Sequence, residues 1–416
     1  MIKTKTLDCG TTVVMEQIPY VQSVSIGVWA KVGSVDEPSR LAGVSHFVEH
    51  MMFKGTGKRT ARQIASDVDK IGGHMNAFTG KEATCYYIKT LSDNLDQAVE
   101  ILLDMVLNSK LDKEEMDKER MVICEEIKMI QDSPDDDAHD TICDLIFKGD
   151  PLSKSIIGTP SSLDNITSKS MRNYIKKEYT RDNVVISIAG NFDEYKISEM
   201  LSEKLDKLNP TKEERPKVDG VFAQNFRVKV KDIEQSHICM GTRGVKLEDD
   251  RYFALALLNN VLGGSMSSRL FQSIREQKGL AYSVYSMASS FCESGYFNIY
   301  AGVAHGKIRA TIEAIKEEMA ILKKDGITQE ELSTAKEQMK SAYTFAQENV
   351  NGRMVSIGRN MTLSRKIHTM EDVIKSFNNV NMDHIGEVID LIGEPREYCG
   401  VAVTNKKIPL KSIIQG

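Results

Sequence analysis

Five consecutive residues, His46-Phe47-Val48-Glu49-His50, concentrate more chemistry than any other stretch of this sequence. They bring two imidazoles and a carboxylate into a run whose apolar spacing reads as helix. His46 and His50 are four apart, so on a helix they share one face and can grip one ion. Glu49 stands immediately before the second histidine, the reverse of the H-E-x-x-H order. In this inverted H-x-x-E-H spacing the glutamate serves to activate a zinc-bound water. Five residues can arise by chance, so a third ligand and a means of holding substrate must come from elsewhere.

Catalytic zinc takes three protein ligands and keeps a fourth position for water. A helical pattern over 113–130 carries Glu119 and Glu126 two turns apart, beside Val122, Ile123, Ile127 and Ile130. A carboxylate on an apolar stripe is costly unless it is paired or binds a cation. Glu125 points more to the side, and Glu114 and Glu115 read as solvated acids of a first turn. Phase and composition alone leave the choice of ligand open.

The elements that must position these groups follow from periodicity. Strand-like alternation occupies 12–16 and 24–32, and helical spacing runs through 44–53 and about 61–71. A strand pair follows at about 74–91, then helices over 94–107 and 113–130, a buried strand at 183–190 and a helix to about 208. The segment 210–216 is polar, charged and punctuated by Pro210 and Pro216, as a linker would be. Beyond it the order of elements repeats. Gln22-Ser23-Val24-Ser25-Ile26-Gly27 has an echo in Gln235-Ser236-His237-Ile238-Cys239-Met240-Gly241, at an offset of 213 for the Gln-Ser start and 214 for the closing glycine. Leu111-Asp112-Lys113-Glu114-Glu115-Met116 has one in Ile327-Thr328-Gln329-Glu330-Glu331-Leu332, at an offset of 216. We expect an α+β fold of two homologous domains, 1–209 and 217–416, each a mostly antiparallel sheet packed with helices. The second copy lacks the metal chemistry: His46, Glu49 and His50 fall on Asn259, Leu262 and Gly263, and Glu119 and Glu126 fall on Ala335 and Ala342.

With 416 residues, 41% hydrophobic and 27% charged, the composition is that of an ordinary globular enzyme. A net charge of −5 gives no pull toward nucleic acid or anionic membrane. No apolar run approaches the roughly 20 residues needed to cross a bilayer. Seven scattered cysteines without a C-x-x-C pair point to a reducing compartment and away from a cysteine metal site. A cytoplasmic location fits, and a mature organellar chain would look the same.

Further motifs extend the pattern: Gly72-Gly73-His74-Met75-Asn76-Ala77-Phe78-Thr79, Gly158-Thr159, and Tyr179-Thr180-Arg181-Asp182 leading into Ala189-Gly190-Asn191. In the second half stand Leu262-Gly263-Gly264-Ser265-Met266-Ser267-Ser268-Arg269-Leu270-Phe271 and Ile274-Arg275-Glu276-Gln277-Lys278-Gly279-Leu280-Ala281-Tyr282-Ser283-Val284. With the first motif and Glu119/Glu126, these resemble the pitrilysin/insulinase family of inverzincin metallopeptidases, in its mitochondrial-processing-peptidase-like branch, over nearly the whole chain. The resemblance implies one Zn2+ per chain held by His46, His50 and Glu126, with Glu49 as general base. It implies that Glu119 steadies a ligand histidine. Asn76 and Ala77 match positions that lie along bound peptide, on a sheet edge to which substrate adds as a strand. Arg275 and Tyr282 match a pair that reaches the substrate backbone or the developing oxyanion. Family members work as two-part clamshells, so this chain is expected to be one half, a homodimer, with a heterodimer with a related chain as the alternative.

The implied activity is a zinc endopeptidase acting on peptides or presequence-like unfolded segments, as in a bacterial processing protease. Two other classes compete. A non-catalytic scaffold of the same fold would have damaged motifs, whereas these are intact; a peptide-binding chaperone would use the edge strand without needing Glu49. The remaining histidines, His74, His139, His237, His305, His368 and His384, lack metal spacing, and Asp135-Asp136-Asp137 reads as a solvated loop.

Overall fold

A computed structural model describes residues 2–210, 222 and 224–416. The first half opens with strands β1 (Ile2–Thr6), β2 (Thr12–Gln17) and β3 (Ser23–Ala30), then helices α1 (Val44–Met52) and α2 (Ala61–Lys70). The hairpin β4 (His74–Thr79) and β5 (Thr84–Leu91) leads into α3 (Leu95–Asn108), α4 (Lys113–Asp132) and α5 (Pro134–Ile146). Next come α6 (Pro160–Asp164), α7 (Ser168–Glu178), β6 (Val184–Gly190) and α8 (Glu194–Leu205). The second half runs β7 (Phe226–Val230), β8 (Ser236–Arg243), α9 (Tyr252–Gly263), β9 (Ala281–Ser290) and β10 (Gly295–Val303). It continues through α10 (Ile308–Asp325), α11 (Gln329–Ala346), α12 (Val350–Leu363), α13 (Met370–Asn379) and α14 (Met382–Ile392) to β11 (Cys399–Thr404) and α15 (Leu410–Gln415). Asp135, Asp136 and Asp137 lie in the first turn of α5, not in a loop. Acids there face the partial positive charge of the helix N-terminus.

The duplication is visible in topology. The first sheet has the order β1-β2-β6-β3-β5-β4 and the second β7-β11-β8-β10-β9. In each, one parallel pair (β2 with β6, β7 with β11) joins an otherwise antiparallel sheet. The sequence pattern explains who lies where. Strand β3, Ser-Val-Ser-Ile-Gly-Val-Trp-Ala, is buried along almost its whole length and sits centrally. Strand β4 alternates between exposed and half-buried residues and occupies an edge.

The compact units are not the continuous halves 1–209 and 217–416. One comprises 1–127, 154–217 and 344–369; the other comprises 128–153, 218–343 and 370–416. Each half thus lends a helix: α12 belongs with the first sheet and α5 with the second. An amphipathic helix shows in its sequence that it needs a sheet, but not which of two related sheets it will cover. In the first unit α12 is fastened by Ser25 Oγ donating to Asn351 Oδ1 (3.0 Å) and by the Arg353–Glu16 ion pair (2.6 Å). A Cβ on Gly358 would lie 2.1 Å from the Trp29 indole nitrogen, so helix and strand approach at a distance only glycine allows. Of the expected linker at 210–216, all but Pro210 falls outside the described residues. Among the described residues no helix is long and apolar enough to cross a membrane.

Candidate active site

Helix α1 forms because Val44, Phe47, Val48, Met51 and Met52 recur at helical spacing and are buried. The same periodicity sets His46 beside His50, with ring centroids 4.6 Å apart and the ring planes 66° from parallel. Helix α4 buries Met116, Glu119, Ile123 and Ile127, which brings two carboxylates toward those rings. Glu126 reaches both: its Oε1 lies 3.8 Å from His46 Nε2 and its Oε2 lies 3.6 Å from His50 Nε2. These separations exceed a hydrogen bond. One ligand atom from each of the three residues falls within 4.8 Å of the others, an arrangement that can hold a metal ion. Among the described residues no other histidine, cysteine, aspartate and glutamate group does so.

The donor set fits zinc: two imidazole nitrogens and one carboxylate oxygen, with room for a fourth ligand. Burial, helped by the neighbouring His50, lowers the pKa of His46 to about 4. Its imidazole is therefore neutral at physiological pH, the form that offers a lone pair to a metal.

Glu119 does different work. It is 6% exposed, and its Oε2 lies 3.0 Å from His50 Nδ1 while its Oε1 takes the Lys54 ammonium at 2.5 Å. A carboxylate on Nδ1 fixes the ring orientation and leaves Nε2 to face Glu126. Lys54 was not foreseen from the sequence, although it follows His50 by four residues, one helical turn on.

Glu49 turns to the sheet. Its Oε2 accepts the hydroxyl proton of Thr79, the last residue of β4. Burial raises the Glu49 pKa, and the Glu126 charge adds to the rise against the opposing pull of Thr79 and His50. A carboxylate raised in this way is better matched to taking up a proton near neutrality. Thr79 was quoted in the sequence motif without a role; only packing of α1 on β4 supplies one.

The same strand carries Asn76 and Ala77. Strand β4 pairs with β5 alone, so its other edge is unpaired among the described strands. Asn76 Oδ1 accepts the Ala77 N–H at 2.8 Å, a local contact on that strand. In the second unit Arg275 and Tyr282 are also adjacent: the guanidinium carbon stands 5.4 Å from the Tyr282 ring and 4.7 Å from that of Phe271. Tyr282 is 74% exposed, so its hydroxyl end is accessible.

Comparison with known proteins finds matches over most of the chain. Residues 12–160 match the insulinase family (peptidase family M16), and residues 165–339 match the peptidase M16 inactive domain. A zinc protease of Bacillus subtilis is 43% identical, covering 92% of this chain and 94% of that protein. A zinc protease of Streptomyces coelicolor is 34% identical, covering 94% and 87%. The crystal structure of a peptidase M16 inactive domain from Pseudomonas fluorescens superposes with a TM-score of 0.90 at 18% identity, covering 99% of this chain and 100% of that one, and shares the fold. The chain belongs to the insulinase family of peptidases, family M16.

Proposed function

We propose that this metalloprotease is a zinc endopeptidase whose ion is held by His46, His50 and Glu126, with Glu49 as general base. The observation that carries the reading is the meeting of two imidazoles and one carboxylate beside a buried Glu49. Zinc, when bound there, supplies a Lewis acid that acidifies water and polarises a peptide carbonyl. Glu49 takes up the proton released by the attacking water and returns it to the departing amine nitrogen. Thr79 holds Glu49 in place, and Glu119 with Lys54 holds His50.

The peptide adds to the unpaired edge of β4 near Asn76 and Ala77, where backbone pairing places few demands on sequence. That mode suits unfolded or presequence-like segments. Arg275 and Tyr282 contribute donors toward the substrate backbone or the oxyanion. The working form is a homodimer of this chain, which carries both the zinc motif and the Arg/Tyr pair. Seven cysteines without a disulfide suit a cytoplasmic setting.

Digestion of a broad library of unstructured peptides by zinc-loaded protein tests the reading. Wild type should cleave, and Glu49→Gln should bind zinc equally while kcat falls roughly 1,000-fold or more. Wild type with full zinc occupancy that leaves the library intact would refute the enzyme. Chemical crosslinking followed by mass measurement tests the dimer.

A further inference from the structure

The N-terminus of α1 is closed by a residue outside the metal motif. Gly43, the residue that precedes the helix, has a backbone φ of +90° and no side chain to cap it. The capping group is instead the carboxylate of Glu37, which is 3% exposed. Its Oε2 accepts the Gly43 N–H at 2.7 Å and its Oε1 accepts the Ser45 N–H at 2.8 Å. The Ser45 hydroxyl also donates to this carboxylate and accepts from the Tyr174 hydroxyl of α7 at 2.8 Å. Lys154 Nζ, whose charge also favours the ionised carboxylate, donates to the Glu37 carbonyl at 2.5 Å and to that of Val35 at 3.4 Å. Three buried donors thus converge on one carboxyl group immediately before His46.

The loop that carries Glu37 is itself pinned to the tip of the β4–β5 hairpin. Val35 N–H donates to the Lys81 carbonyl (3.0 Å) and Ser34 N–H to the Gly80 carbonyl (3.3 Å). A Cβ on Gly33 would lie 2.3 Å from the Gly80 oxygen. The strand bearing Thr79 and the helix bearing Glu49 are therefore joined twice: directly, and through the 33–37 loop to the start of the helix.

We propose that Glu37 is a positioning residue for the metal centre, fixing the first turn of α1 so that His46 and His50 present their nitrogens to one ion. A buried anion at a helix start satisfies N–H groups that have no partner within the helix and complements its partial positive charge. Glu37→Gln puts an amide NH2 against those N–H donors and releases the turn. Burial of Glu37 elsewhere in the core would serve stability alone; here, among the described residues, its backbone N–H partners are at the start of the helix that carries both histidines.

The inference rests on the zinc-site reading, and the test separates the two. Zinc dissociation constants are measured at pH 8 by competition with a chromophoric chelator, and amide exchange of 43–52 is followed in the metal-free protein. Glu37→Gln should weaken zinc about 10-fold, and Tyr174→Phe by a smaller factor, with exchange accelerated in 43–52 and the rest of the first unit unchanged. Wild-type zinc affinity in folded Glu37→Gln overturns the proposal. Should that variant not fold, Tyr174→Phe and Ser45→Ala decide, and wild-type affinity and exchange in both overturn it equally. A wild-type protein that binds no zinc refutes the metal site itself.

Discussion

The two sheets share a five-strand order, to which the first adds β1 at one edge, and the units differ in what the helix after the central strand carries. In the first unit α1 packs against β4, where Glu49 meets Thr79, and turns His46 and His50 to Glu126 of α4. In the second, α9 takes the corresponding place, and the residue aligned with His50 is Gly263. A Cβ there would lie 2.2 Å from the Ser286 amide nitrogen of β9, so this helix sits directly on its strand. Leu262, aligned with Glu49, is fully buried in the apolar core. The same scaffold can thus be filled with hydrocarbon or opened for a polar site. The open version has added supports: a carboxylate under one histidine, a hydroxyl on Glu49 and a buried carboxyl group at the helix start.

Making the active copy resemble the inert one should have the largest effect. Glu126→Ala installs the residue found at the aligned Ala342 and should weaken zinc by about 100-fold or more in chelator competition. An unchanged affinity would remove Glu126 from the ligand set.

The helix starts offer the next contrast, because α9 begins after Arg251 with no side-chain cap. Burial pushes the Glu37 pKa up to about 7 from an ordinary value near 4.5. The folded protein therefore binds a proton that the unfolded chain has lost between those values. The stabilising contribution is fully present below pH 4.5 and is lost as pH rises through 7. Relative to Glu37→Gln, metal-free wild type should lose about 3 kcal/mol of stability across that window, read by urea unfolding at several pH values. Lys154 and Tyr174 act on the group directly, Asp36 and Glu178 face Tyr174, and all four are common to both proteins. A flat difference would show that Glu37 does not titrate there.

Gly263→Ala probes the inert copy. The added methyl group must push α9 off β9, which should lower stability by about 2 kcal/mol in denaturant unfolding while zinc affinity stays at the wild-type level. A fall in zinc affinity would mean that the two copies are energetically coupled.

Thr79→Val should be the smallest and sharpest change. Loss of one hydrogen bond to a carboxylate should lower kcat about 10-fold with KM little altered, and Thr79→Ser should restore most of it. Equal kcat in the valine variant would leave Glu49 positioned by α1 alone.

Much of the architecture is legible before folding because its causes are local or periodic. His46 and His50 share a face because four residues make about one helical turn, and alternation marks β4 as a strand with one half-buried face. The duplication, the sheet-and-helix class and the missing chemistry at Asn259, Leu262 and Gly263 all follow from comparing the chain with itself. The sequence also names the carboxylates of α4, but phase alone leaves Glu119 and Glu126 on one stripe and cannot assign their tasks. That division was decided by tertiary packing, which sets Glu126 between both Nε2 atoms and Glu119 between His50 and Lys54. Packing also recruited Thr79 and Glu37, 30 residues after and 12 residues before Glu49. It sent α12 to the first sheet and α5 to the second. Each of these outcomes depends on which surfaces meet, a long-range property carried by no local period, and so it appears only once the chain has closed on itself.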